Sequence, residues 1–521
     1  MVPSGWSNAL GTTYALPRWA WAPRSAGEVI EAVHRATAEG HRVRMTGNGH
    51  SFSDVAVNED WLLSPRGLQR ILDIDAASLR QGVNPSMLVR VQAGVSIHAL
   101  NRALGLRGLA LENMGGAEVQ TFIGAASTGT HGSGLAFGPL ASQIVALQVV
   151  GADGRLVQVE PSDGITEPSR FSESLPELPS VPIALEQNDQ TFRALTVGLG
   201  CLGIVYAAIV RVVPKYWLVE RRTMTTWEFL AAPGGVVDCL MAKAPIWPAV
   251  PDKSPLPSGS CLPPSGSEPD HVEVYYTPYA AADGTHAALL TQRWRVPCKP
   301  PGVGEPRGSL LYTPGTDLSV LFDKLGLLSR LYPNKTADVR QFHVFQLEQL
   351  AQRYYANISY DVFSIGALND LSAYGVEPAF DLCQTKDAVL QNCRLAEQFG
   401  VEGIHHTAPV SLRFVKAADA YLAMQQGRDT TAMEMDVFAG MYGVEDLLQT
   451  NERHFITTLG ARPHWGLDRN ALRDEREVAS VFPGWDKWKD VYSLRNRSGV
   501  FDGRVTDRLG ISCRGDPPVC R

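Results

Sequence analysis

Two runs of small residues hold the positions best suited to chemistry. The first is Thr46, Gly47, Asn48, Gly49, His50 and Ser51, closed by Phe52. The second spans residues 124–134 and includes Gly124, Ser127, Thr128, Gly129, Thr130, His131, Gly132 and Gly134. Residues this small let backbone N–H groups approach an anion, and the hydroxyls add donors. Two such loops in one region, each with a histidine, point to a diphosphate-bearing cofactor. A pair of tight turns is the plainer alternative. A third cluster, Gly198, Gly200 and Gly203, spells the dinucleotide fingerprint G-x-G-x-x-G. That fingerprint must follow a strand and open a helix. Here the run before it reads as helix and residues 204–213 alternate like a strand, so a nicotinamide-type site is set aside.

The elements around these loops are α/β in character. Ser25 and Glu28 form a capping box, Val29, Ile30 and Val33 give an apolar face, and Gly40 ends the helix. Residues 41–45 then read as a strand delivering the first loop. Strand 87–91 and helix 96–104 follow, and strands 144–150 and 156–159 flank the turn Ala152, Asp153, Gly154 as a hairpin. Beyond Pro214 the texture changes. Strand-like runs 271–276 and 410–415 alternate with helix-like runs 386–398 and 444–459. Residues 245–269 hold eight prolines among serines and glycines and read as an exposed insertion. Residues 161–190 read as a second polar, irregular insertion. The expected fold class is α+β.

Length and charge narrow the function. A chain of 521 residues with 45% hydrophobic content supports more than one core. Lys+Arg 47 against Asp+Glu 54 gives −7, which argues against nucleic acid as the main partner. The longest apolar run, Val197 to Val210, is too short to span a bilayer. No signal peptide is visible, and the eight cysteines form no CxxC pair. A reducing, cytoplasmic setting without a bound metal is therefore expected, with Cys513 and Cys520 either paired or free.

The segments GNGHS, QTFIGAASTGTHGSG, VGLGCLGIV and RPHWG occur in this order. With them the chain resembles the vanillyl-alcohol oxidase superfamily of flavoproteins, in its aldonolactone and alditol oxidase branch, from about Trp19 to His464. The resemblance implies an FAD-binding domain of two α/β subdomains over residues 1–213. It implies a cap domain over 214–460 and a segment, 461–521, that returns to the flavin. It places His50 where the branch bonds a histidine to the flavin 8α-methyl group. Residues 46–52 and 124–134 would hold the diphosphate, with Gly203, Ile204 and Val205 against the flavin or adenine. His131 would order its own loop. The chemistry implied is hydride transfer from a carbon bearing a hydroxyl, or an amine, to the flavin, with O2 as the expected acceptor. A dehydrogenase using another acceptor, a natural-product tailoring enzyme and a non-catalytic flavin protein are the alternatives.

The substrate face departs from the branch. Its Glu-x-Arg strand matches residues 409–414, where Arg413 is kept but Ser411 stands in place of the glutamate. Its His-Trp-Gly-Lys run reads His464, Trp465, Gly466, Leu467. Gly116 replaces a serine of the polyol oxidases, and Gly115 sits at the oxygen gate. Arg413, His464, Ser411 and Gly115 are thus the expected reaction-centre residues. The losses predict a small-molecule substrate less polar than an alditol or aldonolactone, unless other groups substitute. His405 and His406 are candidates for that, an ordinary core or solvated pair being the alternative.

Overall fold

The structure is a computed structural model and describes residues 5–243, 259, 261–264, 266–304, 339–366 and 373–513. In the first domain β1 (Trp19–Trp21), α1 (Ala26–Glu39), β2 (Val43–Met45) and β3 (Trp61–Leu63) make a small parallel sheet with its helix. Ser25 caps α1 through the Glu28 N–H at 3.2 Å, and Gly40 closes it in the left-handed region at φ +76°. Both ends follow from the residues read there. β3 is central to this sheet and β2 pairs parallel to it, so the end of β2 delivers residues 46–52 to a fixed place.

The second part of this domain is a larger sheet. It contains β4 (Leu88–Gln92), β5 (Ile144–Val150), β6 (Leu156–Glu160), β7 (Leu178–Gln187) and β8 (Ile204–Arg211), ordered β7-β6-β5-β8-β4 with a short strand at each edge. Helices α2 (Phe122–Ser127) and α3 (Asp189–Thr196) pack beside it. β5 is buried throughout and joins β6 as the antiparallel hairpin expected. The 161–190 segment is corrected by the structure. β7 lies within it, pairs parallel to β6, and buries Ile183 in the core. Its many polar residues belong to a strand beside the sheet's short edge strand, with much of its length toward solvent.

The second domain is built on one broad sheet. Its strands are β9 (Trp217–Thr226), β10 (His271–Tyr276), β11 (Ala287–Val296), β12 (Gln352–Ile358), β13 (Ala373–Val376), β14 (Pro378–Asp381), β15 (Val410–Val415) and β16 (Thr430–Phe438). Their order is β12-β9-β11-β10-β15-β16-β14, and β13 pairs with the far end of β16. Helices α4 (Thr385–Val401) and α5 (Val444–Leu459) cover it, and Phe380, Phe414 and Phe455 share the core between them.

The chain then returns to the first domain. α6 (Trp485–Arg495) packs on α3, the Val43 N–H donates to Val500 O at 2.7 Å, and Arg508 grips Asp54 at 2.9 Å. Most of the 245–269 insertion lies outside the described residues, as does Cys520. Cys261 and Cys298 are bonded to each other, and Cys513 is also disulfide-bonded. These bonds run against the expected reducing setting, and linear spacing gave no reason to join the first pair. Among the described residues, no helix is long and apolar enough to cross a membrane.

Candidate active site

A cleft runs between the two parts of the first domain. It is lined by Thr46, Gly47, Asn48, Gly49, His50 and Ser51 from the β2 loop, by Gly124, Ser127 and Thr128 from α2, and by Gly203, Ile204 and Val205 at the head of β8. Thr121 caps α2 through the Gly124 N–H at 3.3 Å. A Cβ on Gly47 would lie 2.7 Å from the Thr121 hydroxyl, so the loop and helix meet only because residue 47 has no side chain. Gly203 is needed twice over, with φ at +139° and the Val149 side chain 2.4 Å from where its Cβ would be. Among the described residues, none accepts a hydrogen bond from the backbone N–H of Gly47, Asn48, Gly49 or Ser51. Free donors along a glycine-rich cleft suit a diphosphate, so the residues present fit FAD.

The second loop divides between two places. Its first half lines the cleft, but Thr130 and His131 face a second cavity beneath the cap sheet. Gly134 donates its N–H to Phe414 O at 2.6 Å, tying the loop to β15. Gly129 and Gly132 line neither cavity, and a Cβ on Gly132 would strike Met114 O at 2.4 Å. Gln120 borders both cavities and marks where they join.

The second cavity holds about 270 Å³. Gly115, Ser411, Arg413, His464 and Leu467 all line it, so the expected reaction-centre residues converge. His405 and His406 do not line it. His406 is fully buried beside His343, and Tyr279 packs against His343 and His405. His406 is a core histidine and His405 a half-buried one beside it, and neither reaches the cavity to replace lost substrate groups. The position of Gly116 is filled from outside. A Cβ there would lie 2.7 Å from Ile365 Cγ2, so Ile365 occupies the room a serine would need.

The neighbouring strand brings a carboxylate beside Ser411. Ser411 and Glu434 are register partners on β15 and β16, and the Ser411 hydroxyl donates to Glu434 at 3.3 Å. Glu434 also pairs with Arg413. Arg413 further donates to Glu273 at 3.0 Å and to Glu377 at 3.2 Å. Beyond Glu273 the pattern continues: Arg293 bonds Glu273 at 3.1 Å and Glu220 at 2.7 Å. Glu220, Arg293, Glu273, Arg413 and Glu434 thus place one charge on each of five adjacent strands, alternating in sign. Burial works against the Arg413 charge, but Glu434 and Glu273 outweigh it and hold its pKa far above the ordinary value. The order of the sheet decides which charges meet, and spacing along the chain did not reveal it. A local signal existed. Glu434 and Asp436 stand two apart in an otherwise apolar strand, so both point to one face.

Two buried histidines sit in opposite states. His131 Nδ1 faces the Gly132 carbonyl at 2.8 Å, so it must donate. Its Nε2 lies 3.4 Å from the Glu377 carboxylate, an ion-pair distance. Burial disfavours its charge, but Glu377 and the carbonyl prevail and raise its pKa. His131 is therefore more than a residue that orders its own loop. His464 Nδ1 instead accepts from the Gly466 N–H at 3.0 Å, which leaves the proton on Nε2. Burial pushes its pKa down to about 4, so it is a neutral N–H donor facing the cavity. The turn carrying it is fixed to the His50 loop. Phe52 N–H donates to Gly466 O at 2.7 Å and the Ser53 hydroxyl to Trp465 O at 2.5 Å.

Comparison with known proteins agrees with this arrangement. Residues 17–160 match the FAD binding domain family, and residues 267–509 match the D-arabinono-1,4-lactone oxidase family. An L-gulono-1,4-lactone dehydrogenase of Mycobacterium tuberculosis is 25% identical over 97% of this chain and 98% of its own length. An L-gulonolactone oxidase of Mus musculus is 24% identical, covering 95% of each. A D-arabinono-1,4-lactone oxidase of Eremothecium gossypii is 33% identical over 43% of this chain and 37% of its own. In fold, the structure of a cholesterol oxidase from Brevibacterium sterolicum superposes with a TM-score of 0.71 at 15% identity, over 97% of this chain and 96% of that one.

Proposed function

The chain belongs to the FAD-linked oxidoreductases of the vanillyl-alcohol oxidase type, its FAD binding domain joined to a D-arabinono-1,4-lactone oxidase domain, and from that premise we propose that it oxidises a CH–OH carbon held in the 270 Å³ cavity. The observation that carries the reading is the convergence of Arg413, Glu434, His464 and Gly115 on one cavity that meets the FAD cleft at Gln120. When bound, FAD supplies the acceptor for a hydride leaving the substrate carbon. The chain's own groups do the rest. Glu434 accepts the hydroxyl proton as the carbonyl forms, and Arg413 steadies the charge that results. His464 donates from Nε2 to the substrate oxygen and fixes its orientation.

His50 lies in the cleft and is the residue proposed to bond the flavin covalently. The proposed acceptor is O2, reduced to H2O2, with Gly115 at the point of access. The named relatives include lactone oxidases and a lactone dehydrogenase, and a lactone or related hydroxy compound is the starting substrate class. Ile365, Leu467 and Phe438 contribute apolar lining to the cavity, which favours a substrate less hydroxylated than an alditol. Acid precipitation tests the linkage: the pellet should stay yellow, and its mass should exceed the chain by one FAD. Peroxide release across lactones, alditols, aryl alcohols and amino alcohols tests the reaction. A colourless pellet defeats the covalent link, and a reduced flavin that O2 does not reoxidise defeats the oxidase reading.

A further inference from the structure

The carboxylates around the cavity are not evenly partnered. Glu273 has Arg293, Glu377 has His131, and Glu434 has Arg413. Asp436 lines the same cavity, and among the described residues no hydrogen bond or ion pair reaches its carboxylate. Its neighbour across the strand pair explains how it fits. Gly375 on β13 is the register partner of Asp436, and a Cβ on Gly375 would lie 2.3 Å from the Asp436 oxygen. Gly375 has no left-handed φ that would require glycine, so its bareness serves space. The strand pair thus makes room for a carboxylate that, among the described residues, no hydrogen bond or ion pair engages and that Arg413 offsets only from a distance.

A second observation points to a ligand from the other side. His464 is 6% exposed, its Nδ1 is engaged by Gly466, and its Nε2–H faces the cavity without a partner among the described residues. A buried donor of this kind calls for an acceptor oxygen on whatever binds. The cavity therefore offers one group for an oxygen and one for a cation, with Leu467, Ile365 and Phe438 between solvent-poor surfaces.

Resting on the reading of this cavity as the substrate site, we propose that the enzyme's substrate carries a protonated amine that pairs with Asp436, as in an amino alcohol or an aminated sugar derivative, with its hydroxyl end at His464. A neutral polyol could donate hydrogen bonds to Asp436 but brings no opposite charge. Burial, then the charge of Glu434, raise the Asp436 pKa well above the usual carboxylate range, with Arg413 opposing them and Glu377 adding to them. A bound ammonium relieves that repulsion, whereas a hydroxyl does not.

The test is binding to the oxidised flavoprotein at neutral pH, read as perturbation of the flavin absorbance. Two matched pairs serve as probes: 2-amino-1-phenylethanol against 1-phenylethane-1,2-diol, and glucosamine against glucose. In at least one pair the amine should bind ~10-fold or more tightly than its hydroxyl partner, as expected for a charge pair out of water. Asp436→Asn should abolish that preference by weakening the amine far more than its neutral partner. Asp436→Ser serves if the first variant lacks flavin or melts early. Equal or tighter binding of the neutral partner in both pairs overturns the proposal. So does a preference that survives in the variants, or saturating amine that gives no perturbation. Peroxide release from a neutral alcohol, measured separately, would leave the oxidase reading standing in each of those cases.

Discussion

Ser411 and Glu434 face each other across β15 and β16, with the serine hydroxyl 3.3 Å from the carboxylate. The strand that should carry the acid has lost it, and the adjacent strand carries one at the same height. Two singly impaired variants should therefore be rescued together. Glu434→Ser is expected to lower kcat by ~10²–10⁴-fold, the range for a positioned proton acceptor. Adding Ser411→Glu should recover at least tenfold of that loss (~1.4 kcal/mol of barrier). No recovery in the double variant would mean that the two positions are not interchangeable sources of the carboxylate. Steady-state turnover on any substrate found decides it.

Arg413 is the hub of the same network, so its removal should be felt in two measurements. Arg413→Ala is expected to lower kcat by ~10²–10³-fold. It should also cost about 3–5 kcal/mol of stability, because breaking a buried pair leaves carboxylates uncompensated. Arg413→Lys keeps the charge and should restore more stability than turnover, since one ammonium cannot reach Glu273, Glu377 and Glu434 with a planar fork. Urea unfolding and turnover measured on both variants test the separation.

Gly115 has less room than an open gate implies. A Cβ there would lie 3.0 Å from His131 O. Gly115→Ala should therefore shift the His131 loop as well as narrow the approach of O2. Stopped-flow reoxidation is expected to slow by tenfold or more (~1.4 kcal/mol). Flavin reduction by substrate should slow in the same variant. A change in reoxidation alone would show that the loop does not respond.

Four histidines should make stability fall in mild acid. Burial holds His271, His343 and His406 neutral with pKa values down to about 3, and His464 to about 4. In the unfolded chain such groups titrate near ~6.5. Below that pH the unfolded state takes up protons that the folded state refuses. The stability present above it is lost as pH falls toward the folded values, by up to about 1.4 kcal/mol per pH unit for each group. His131 is raised and works the other way, contributing below its unfolded pKa and fading as pH rises through the folded one. Urea midpoints should drop between pH 7 and pH 5. His343 donates from Nε2 to His406 O and bonds Thr277 through Nδ1, so His343→Gln should flatten that dependence.

The elements and the cleft were legible because their signals are local. Ser25 and Gly40 bracket a helix, and alternation marks residues 271–276 and 410–415 as strands. The glycine runs announce an anion-binding cleft wherever they lie. Glu273, Glu377, Glu434 and Asp436 were not found, because each acquires meaning only from its neighbour in the sheet. Nothing in the chain order sets Glu273 beside Arg413, which lies 140 residues away. Segment 161–190 misled for a related reason: a strand near the sheet's edge that is largely exposed carries few apolar residues, and its polar positions resemble a loop. Cys261 and Cys298 were equally silent, since their pairing depends on how the segment between β9 and β11 lies.

The bond from Ser53 to Trp465 spans 412 residues, and that from Asp54 to Arg508 spans 454. A ribosome adds ~5–20 residues each second, so the His50 loop waits for tens of seconds before the turn that clasps it has been made. Until then the two glycine loops can form, but the clasp of residues 464–466 and the brace of Arg508 do not exist. Cofactor capture in its final geometry consequently waits until residues 464–508 have been made. A chain terminated anywhere before residue 464 would emerge without the means to close its own site, however well its first domain had folded.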